Sequence, residues 1–170
     1  AYFALREADM RTSTGQATGA IHGFSTMLIN LIKDQDPEGI AVAFDLPSPT
    51  FRHEKIPTYK AGREKAPDDL YEQLALVKEI LPALGIQVVD KEGFEADDIL
   101  ATLATQSRDS SVQVVVVTGD RDSYQLVEDP YIRVLYNRRG VSDYVLYDED
   151  GIWDRTGVYP KDYVLYAALR

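Results

Sequence analysis

The chain has 170 residues, 45% hydrophobic and 27% charged, values that fit one globular domain and exclude a disordered or low-complexity chain. The absence of cysteine removes disulfides, thiolate metal sites and a catalytic thiol together, and a formal charge of -10 argues against a general nucleic-acid binder. No apolar run reaches the roughly 18 to 20 residues of a membrane helix and the N-terminus lacks a signal pattern, so a cytoplasmic protein away from membranes is expected.

Residues 18–33 predict an amphipathic helix, with Ile21, Phe24, Leu28, Leu31 and Ile32 on one face and Thr18 as N-cap, broken by Pro37 and Gly39. The run IAVAF at 40–44 predicts a parallel strand buried on both faces and ending at Asp45. Residues 46–66 are polar and proline-punctuated, a loop long enough to suggest function, with a short helix expected near 59–65. Pro67, Asp68 and Asp69 open a helix whose apolar face runs from Leu70 to Leu84, with a loosened turn at Pro82 and a stop at Gly85. A strand at 86–89, a helix at 95–106, the strongest strand at 112–117 and a fourth strand at 132–136 follow. A hairpin is expected around 138–146. The remainder is tyrosine-rich and less legible; the tyrosines suit strands and a mixed surface. The alternation implies an α/β, doubly wound fold with a mostly parallel central sheet and flanking helices, read as one domain over 1–170. Ligand sites then belong at the carboxyl ends of strands.

Three acidic groups occupy those positions: Asp45 after one strand, Asp120 and Asp122 after another, and Glu95, Asp97 and Asp98 at a helix start. Singly, each has a plain structural role as an Asx turn, a helix-dipole partner or a Gly-Asp turn. Gathered on one sheet edge, six carboxylates would repel one another unless cations or raised pKa values neutralised them, so metal binding is the better account. Hard carboxylate oxygens suit Mg²⁺ or Mn²⁺ over Zn²⁺, and six exceed the needs of one magnesium, which points to two ions and to phosphoryl chemistry.

Residues 51–65 concentrate positive charge: Arg52, Lys55, Lys60, Arg63 and Lys65 stand against Glu54 and Glu64, a local +3 that leaves -13 elsewhere. Arg52, Lys60 and Arg63 are candidates to hold phosphates, and Tyr59 is a candidate to stack on an unpaired base. His22 and His53 receive no role. No G-x-S-x-G, P-loop, H-E-x-x-H or dinucleotide fingerprint is present, and the glycines at 15, 19 and 23 follow no strand.

The segments FD-x4-TFRHE with YKAGR, GFEADDILATLATQ, VVTGDRD-x2-QLV and RRGVSD follow one another along the chain. In order and spacing they resemble the 5′-nuclease domain at the N-terminus of bacterial DNA polymerase I, a family related to flap endonucleases. The resemblance covers nearly the whole chain. It implies a 5′-nuclease, PIN-like resolvase-type core, with Asp45, Glu95, Asp97, Asp98, Asp120 and Asp122 as metal-site acids. Arg52, Tyr59, Lys60 and Arg63 would lie in an arch over 46–69, with Lys60 and Arg63 catalytic. Mg²⁺, replaceable by Mn²⁺, is the expected cofactor, as two ions. The expected partners are DNA with a 5′ flap, nicked or branched duplex and RNA-DNA primer junctions, in a bacterial, nucleoid-associated setting, with a polymerase domain fused downstream. Family members carry a further Asp-bearing strand upstream and a Gly-Asp-x-x-Asp-Asn segment downstream. Since the chain starts without Met and stops in an apolar helical run, it is expected to be an excised fragment lacking both.

The implied activity is 5′-3′ exonuclease and 5′-flap cleavage in primer removal and repair; the alternative is a catalytically incomplete nucleic-acid-binding fragment. An aspartyl phosphotransferase also has acidic sheet edges, but the chain has no D-x-D-x-[TV] after a first strand.

Overall fold

The computed structural model describes residues 10–62, 66–139 and 142–169. Where the sequence reads as one domain, the described residues gather into two compact units, one up to Ala96 and one from Asp97 onward apart from Ser142.

In the first unit, helix α1 spans Gly19–Gln35. Thr18 stands at its N-cap without capping by its side chain; its hydroxyl donates instead to the Met10 carbonyl at 3.1 Å. The donors it leaves are taken by Gln73, whose Oε1 accepts from the Ala20 N–H at 2.8 Å and from that of Ile21 at 3.4 Å. Strand β1, Ala41–Ala43, is shorter than expected and not buried on both faces, since Ala41 is exposed. A short helix α2, Phe51–Lys55, and the long helix α3, Asp68–Ala83, make the crossover to β2, Gln87–Val89, which pairs with β1 in parallel, Val42 opposite Val88. The short helix thus falls earlier than 59–65; residues 57–62 form turns, and 63–65 lie outside the described residues.

Helix α3 continues through Pro82 to Ala83. Ile86 N–H donates to Leu81 O and Gly85 N–H to Pro82 O, both at 3.0 Å, with Gly85 at φ +75. This is the double hydrogen bond of a Schellman stop, in which proline's missing N–H is not required because only its carbonyl is used. Leu81 and Ile86, joined by that motif, enter the first unit's core with Leu28 and Val77.

The second unit begins within α4, Ala96–Asp109. Strand β3, Val114–Thr118, pairs in parallel with β4, Ile132–Arg139, and β4 pairs antiparallel with β5, Asp143–Tyr147, which realises the expected hairpin. The valine run of β3 alternates: Val116 is buried, whereas Val115 and Val117 are 39% and 37% exposed. The α/β order and parallel pairing match the expected class, and the ladders among the described residues form a pair and a triplet. Helix α5, Glu149–Thr156, is capped by Asp148 accepting from Gly151 N–H at 2.8 Å; a single 3₁₀ turn then leads into α6, Tyr163–Ala168. Tyr124, 1% exposed, lies at the centre of this core, with the rings of Tyr136, Tyr147 and Tyr163 edge-on at 5.3 to 5.5 Å. Tyrosines here form the core as well as the surface, which composition alone did not distinguish. Among the described residues no helix is long and apolar enough to cross a membrane.

Candidate functional site

Asp45 follows β1, and its Oδ1 accepts the Ala96 N–H at 2.7 Å. Ala96 is the first residue of α4, so Asp45 satisfies one of the helix's unpaired N-terminal donors, the service an N-cap side chain renders, here from another strand end. Asp97 and Asp98 fall in the first turn of α4, where carboxylates complement the helix dipole.

Glu95, one residue before α4, is the meeting point of the acidic group and the basic segment. Lys60 Nζ lies 2.7 Å from Glu95 Oε1, Tyr59 OH donates to Oε2 at 3.3 Å, and an Arg52 guanidinium nitrogen stands 3.8 Å from Oε2. The Glu95 side chain is 12% exposed and that of Lys60 30%, so the ion pair is partly screened and is worth on the order of 1 kcal/mol.

The basic segment is tied to Glu95's strand of chain by its backbone. Phe51 N–H donates to Gly93 O at 3.0 Å, and the Phe51 and Phe94 rings meet at 5.7 Å. Arg52 lies over the Phe51 ring at 4.6 Å, which aims it toward Glu95. Thr50 N–H donates to His53 Nδ1 at 3.1 Å, a reciprocal helix cap, and the His53 ring sits edge-on to Tyr59 at 5.3 Å. His53 therefore has a structural part that the sequence reading left unassigned; the signal was the three-residue spacing from Thr50, with histidine where a capping box has Glu or Gln. Lys60 itself adopts φ +57, a left-handed conformation that costs a lysine about 1 kcal/mol. Tyr59, a candidate base-stacking residue, has its hydroxyl on Glu95.

In the second unit, Asp120 Oδ1 accepts the Asp122 N–H at 2.9 Å and caps the 3₁₀ turn Arg121–Leu126, while Asp120 N–H donates to Thr118 Oγ1 at 3.0 Å. Asp122 follows in that first turn. Asp45, Asp97, Asp120 and Asp122 are exposed; Glu95 and Asp98 are half-buried. Arg63 lies outside the described residues.

The structure thus joins Glu95 to Lys60, Tyr59 and Arg52, Asp45 to the start of α4, and Asp120 to Asp122. Among the described residues, no three His, Cys, Asp or Glu side chains are close enough to hold a metal ion together. The donor chemistry nevertheless fits a hard cation: every candidate is a carboxylate, and a carboxylate bound to one backbone N–H, as Asp45 and Asp120 are, retains acceptor capacity.

Residues 1–157 match the family described as 5′-3′ exonuclease, N-terminal resolvase-like domain. DNA polymerase I of Mycobacterium tuberculosis H37Rv is 46% identical over all 170 residues, and the chain spans 19% of that protein. Among solved structures, the T5 D15 protein co-crystallized with metal ions superposes with a TM-score of 0.69 at 16% identity, over 95% of this chain and 59% of that one. The catalytic core of Rad2 in complex with DNA substrate gives 0.52 at 21% identity, over 96% and 50%. At these identities the likeness establishes the fold.

Proposed function

Because the chain belongs to the family of 5′-3′ exonuclease N-terminal resolvase-like domains, we propose that it is the nuclease part of a longer DNA polymerase, removing 5′ flaps and RNA primers in 5′ to 3′ steps. Its relatives named DNA polymerase I are about five times its length, which supports a polymerase domain fused to it. The substrates in this reading are flapped, nicked or branched DNA and RNA-DNA primer junctions, the setting is the bacterial nucleoid, and the cofactor is a pair of Mg²⁺ ions replaceable by Mn²⁺. The observation that carries the reading is the contact between Lys60 and Glu95, in which the cationic segment and the acidic group share one carboxylate.

Asp45, Glu95, Asp97, Asp98, Asp120 and Asp122 would supply oxygens to the ions. Divalent ions, when bound, supply Lewis-acid activation of the attacking water and stabilisation of the departing 3′ oxygen. The chain's own cations do the rest. Lys60 and Arg63 neutralise charge developing on the scissile phosphate, while Arg52 and Tyr59 hold the unpaired 5′ strand. Asp45, by accepting the Ala96 N–H, ties down the start of α4, which Glu95 precedes and in whose first turn Asp97 and Asp98 lie.

The test is cleavage of a 5′-flap duplex by the full-length protein. Loss of cleavage in EDTA and in Asp120→Ala is expected; an unchanged rate in either contradicts the mechanism. The second reading, a nucleic-acid-binding fragment, draws on the lack of a three-carboxylate group among the described residues. Flap binding without cleavage in saturating Mn²⁺ would mark it.

A further inference from the structure

We propose that the Phe94 ring is the face on which an unpaired base of the substrate strand stacks, while the cations of α2 hold the phosphates beside that base. The proposal rests on the nuclease reading above and adds the residue that receives the base.

Three observations lead to it. Phe94 is 43% exposed although it directly precedes Glu95, the carboxylate on which Lys60, Tyr59 and Arg52 meet. Its backbone is pinned on both sides: Phe94 N–H donates to Lys91 O at 3.2 Å, Gly93 turns the chain at φ +81, and Gly93 O accepts the Phe51 N–H at 3.0 Å. The ring itself is braced by Phe51 at 5.7 Å, with the two planes tilted by 55°. A ring ordered in advance loses little freedom when a base settles on it.

The neighbouring aromatic is already engaged. Lys60 Nζ lies over the Tyr59 ring at 5.2 Å, the His53 ring meets it edge-on at 5.3 Å, and its hydroxyl reaches Glu95. A base laid on the Lys60 side of Tyr59 has to displace that ammonium, whereas Phe94 offers its exposed part without such a competitor.

The charge beside Phe94 suits a nucleotide. Its supporting ring, Phe51, carries the Arg52 guanidinium at 4.6 Å and the Lys55 ammonium at 5.7 Å, against Glu54 in the same short helix. An exposed ring flanked by cations is how single strands are held without regard to sequence, since every base has a π face and every nucleotide a phosphate. An aliphatic side chain at 94 would bury apolar surface equally well but would lack the stacking face.

The experiment is fluorescence anisotropy of the whole chain with a 5′-flap duplex and with a blunt duplex, in EDTA to prevent cleavage. Wild type, Phe94→Ala, Phe94→Leu and Phe94→Tyr are compared, with Leu84→Ala as the control for loss of an exposed apolar side chain in the same unit. Phe94→Ala and Phe94→Leu are expected to weaken flap binding by about 5-fold or more, and Phe94→Tyr to stay within about 2-fold of wild type. Blunt-duplex binding and Leu84→Ala should be unaffected. Abasic sites placed one at a time along the flap should weaken wild-type binding at a single position, a readout independent of any variant's folding. At that position Phe94→Ala should lose nothing further.

If wild type prefers the flap and Phe94→Ala or Phe94→Leu binds it equally well, the stacking role fails and the nuclease reading stands. An abasic loss that persists in Phe94→Ala, or an equal loss on flap and blunt duplex, also overturns it. If wild type shows no preference for the flap, the nuclease reading fails and the stacking role with it.

Discussion

Gln73, on α3, accepts the backbone N–H of Ala20 on α1 across 53 residues of sequence, at 2.8 Å and with only 3% of the glutamine exposed. The same side chain donates to Asp69 O at 3.0 Å. Replacing it leaves a buried helix donor unpaired, so Gln73→Leu is expected to lower the stability of the first unit by about 2 kcal/mol, read from the urea midpoint.

Asp120 separates architecture from chemistry. Its Oδ1 caps a 3₁₀ turn, a part that the amide oxygen of asparagine also fills. Asp120→Asn should keep the wild-type urea midpoint while losing flap cleavage by about 100-fold or more, whereas Asp120→Ala should lose about 1 kcal/mol of stability as well. Parallel unfolding curves and single-turnover rates check this.

Helix α4 ends as α3 does, with Val112 N–H donating to Ser107 O and Ser111 N–H to Arg108 O, both at 2.8 Å. The residue in the left-handed position is Ser111, at φ +61, where α3 has Gly85. Ser111→Gly is therefore expected to stabilise the second unit by about 0.5 to 1 kcal/mol, and Gly85→Ala to destabilise the first by about 1 kcal/mol. Thermal midpoints moving in opposite directions would bear this out.

These turns also show what was legible in the sequence. The long amphipathic helices, the valine strand and the strand-end aspartates follow from periodicity and from Asp and Gly at element ends, and these are local signals. What was not legible depends on partners distant in sequence. Thr18 looks like a cap until Gln73 is seen to do that work, and Asp45 looks like a turn residue until Ala96 arrives beneath it. The placement of Tyr59 against Glu95 is likewise set by a backbone bond between Phe51 and Gly93. Charge counting located the basic segment and the acids but could not say that they share Glu95.

Burial raises the Tyr124 phenol above its ordinary pKa of 10.0, with the positive charge of Arg155 opposing. A raised folded pKa means the folded state keeps a proton that the unfolded state has released. The stability it contributes is complete below pH 10.0 and is lost as pH rises from there through the folded value. Tyr124→Phe removes this dependence. Its urea midpoint should therefore fall less than that of wild type between about pH 8 and about pH 11.

The central claim is that these carboxylates bind the divalent ions used in phosphodiester cleavage, and anomalous scattering from Mn²⁺-soaked crystals of the full-length protein tests it most directly. The account predicts Mn²⁺ peaks coordinated by oxygens of Asp45, Glu95 and Asp120. Saturating Mn²⁺ with no peak on any of these carboxylates would contradict it.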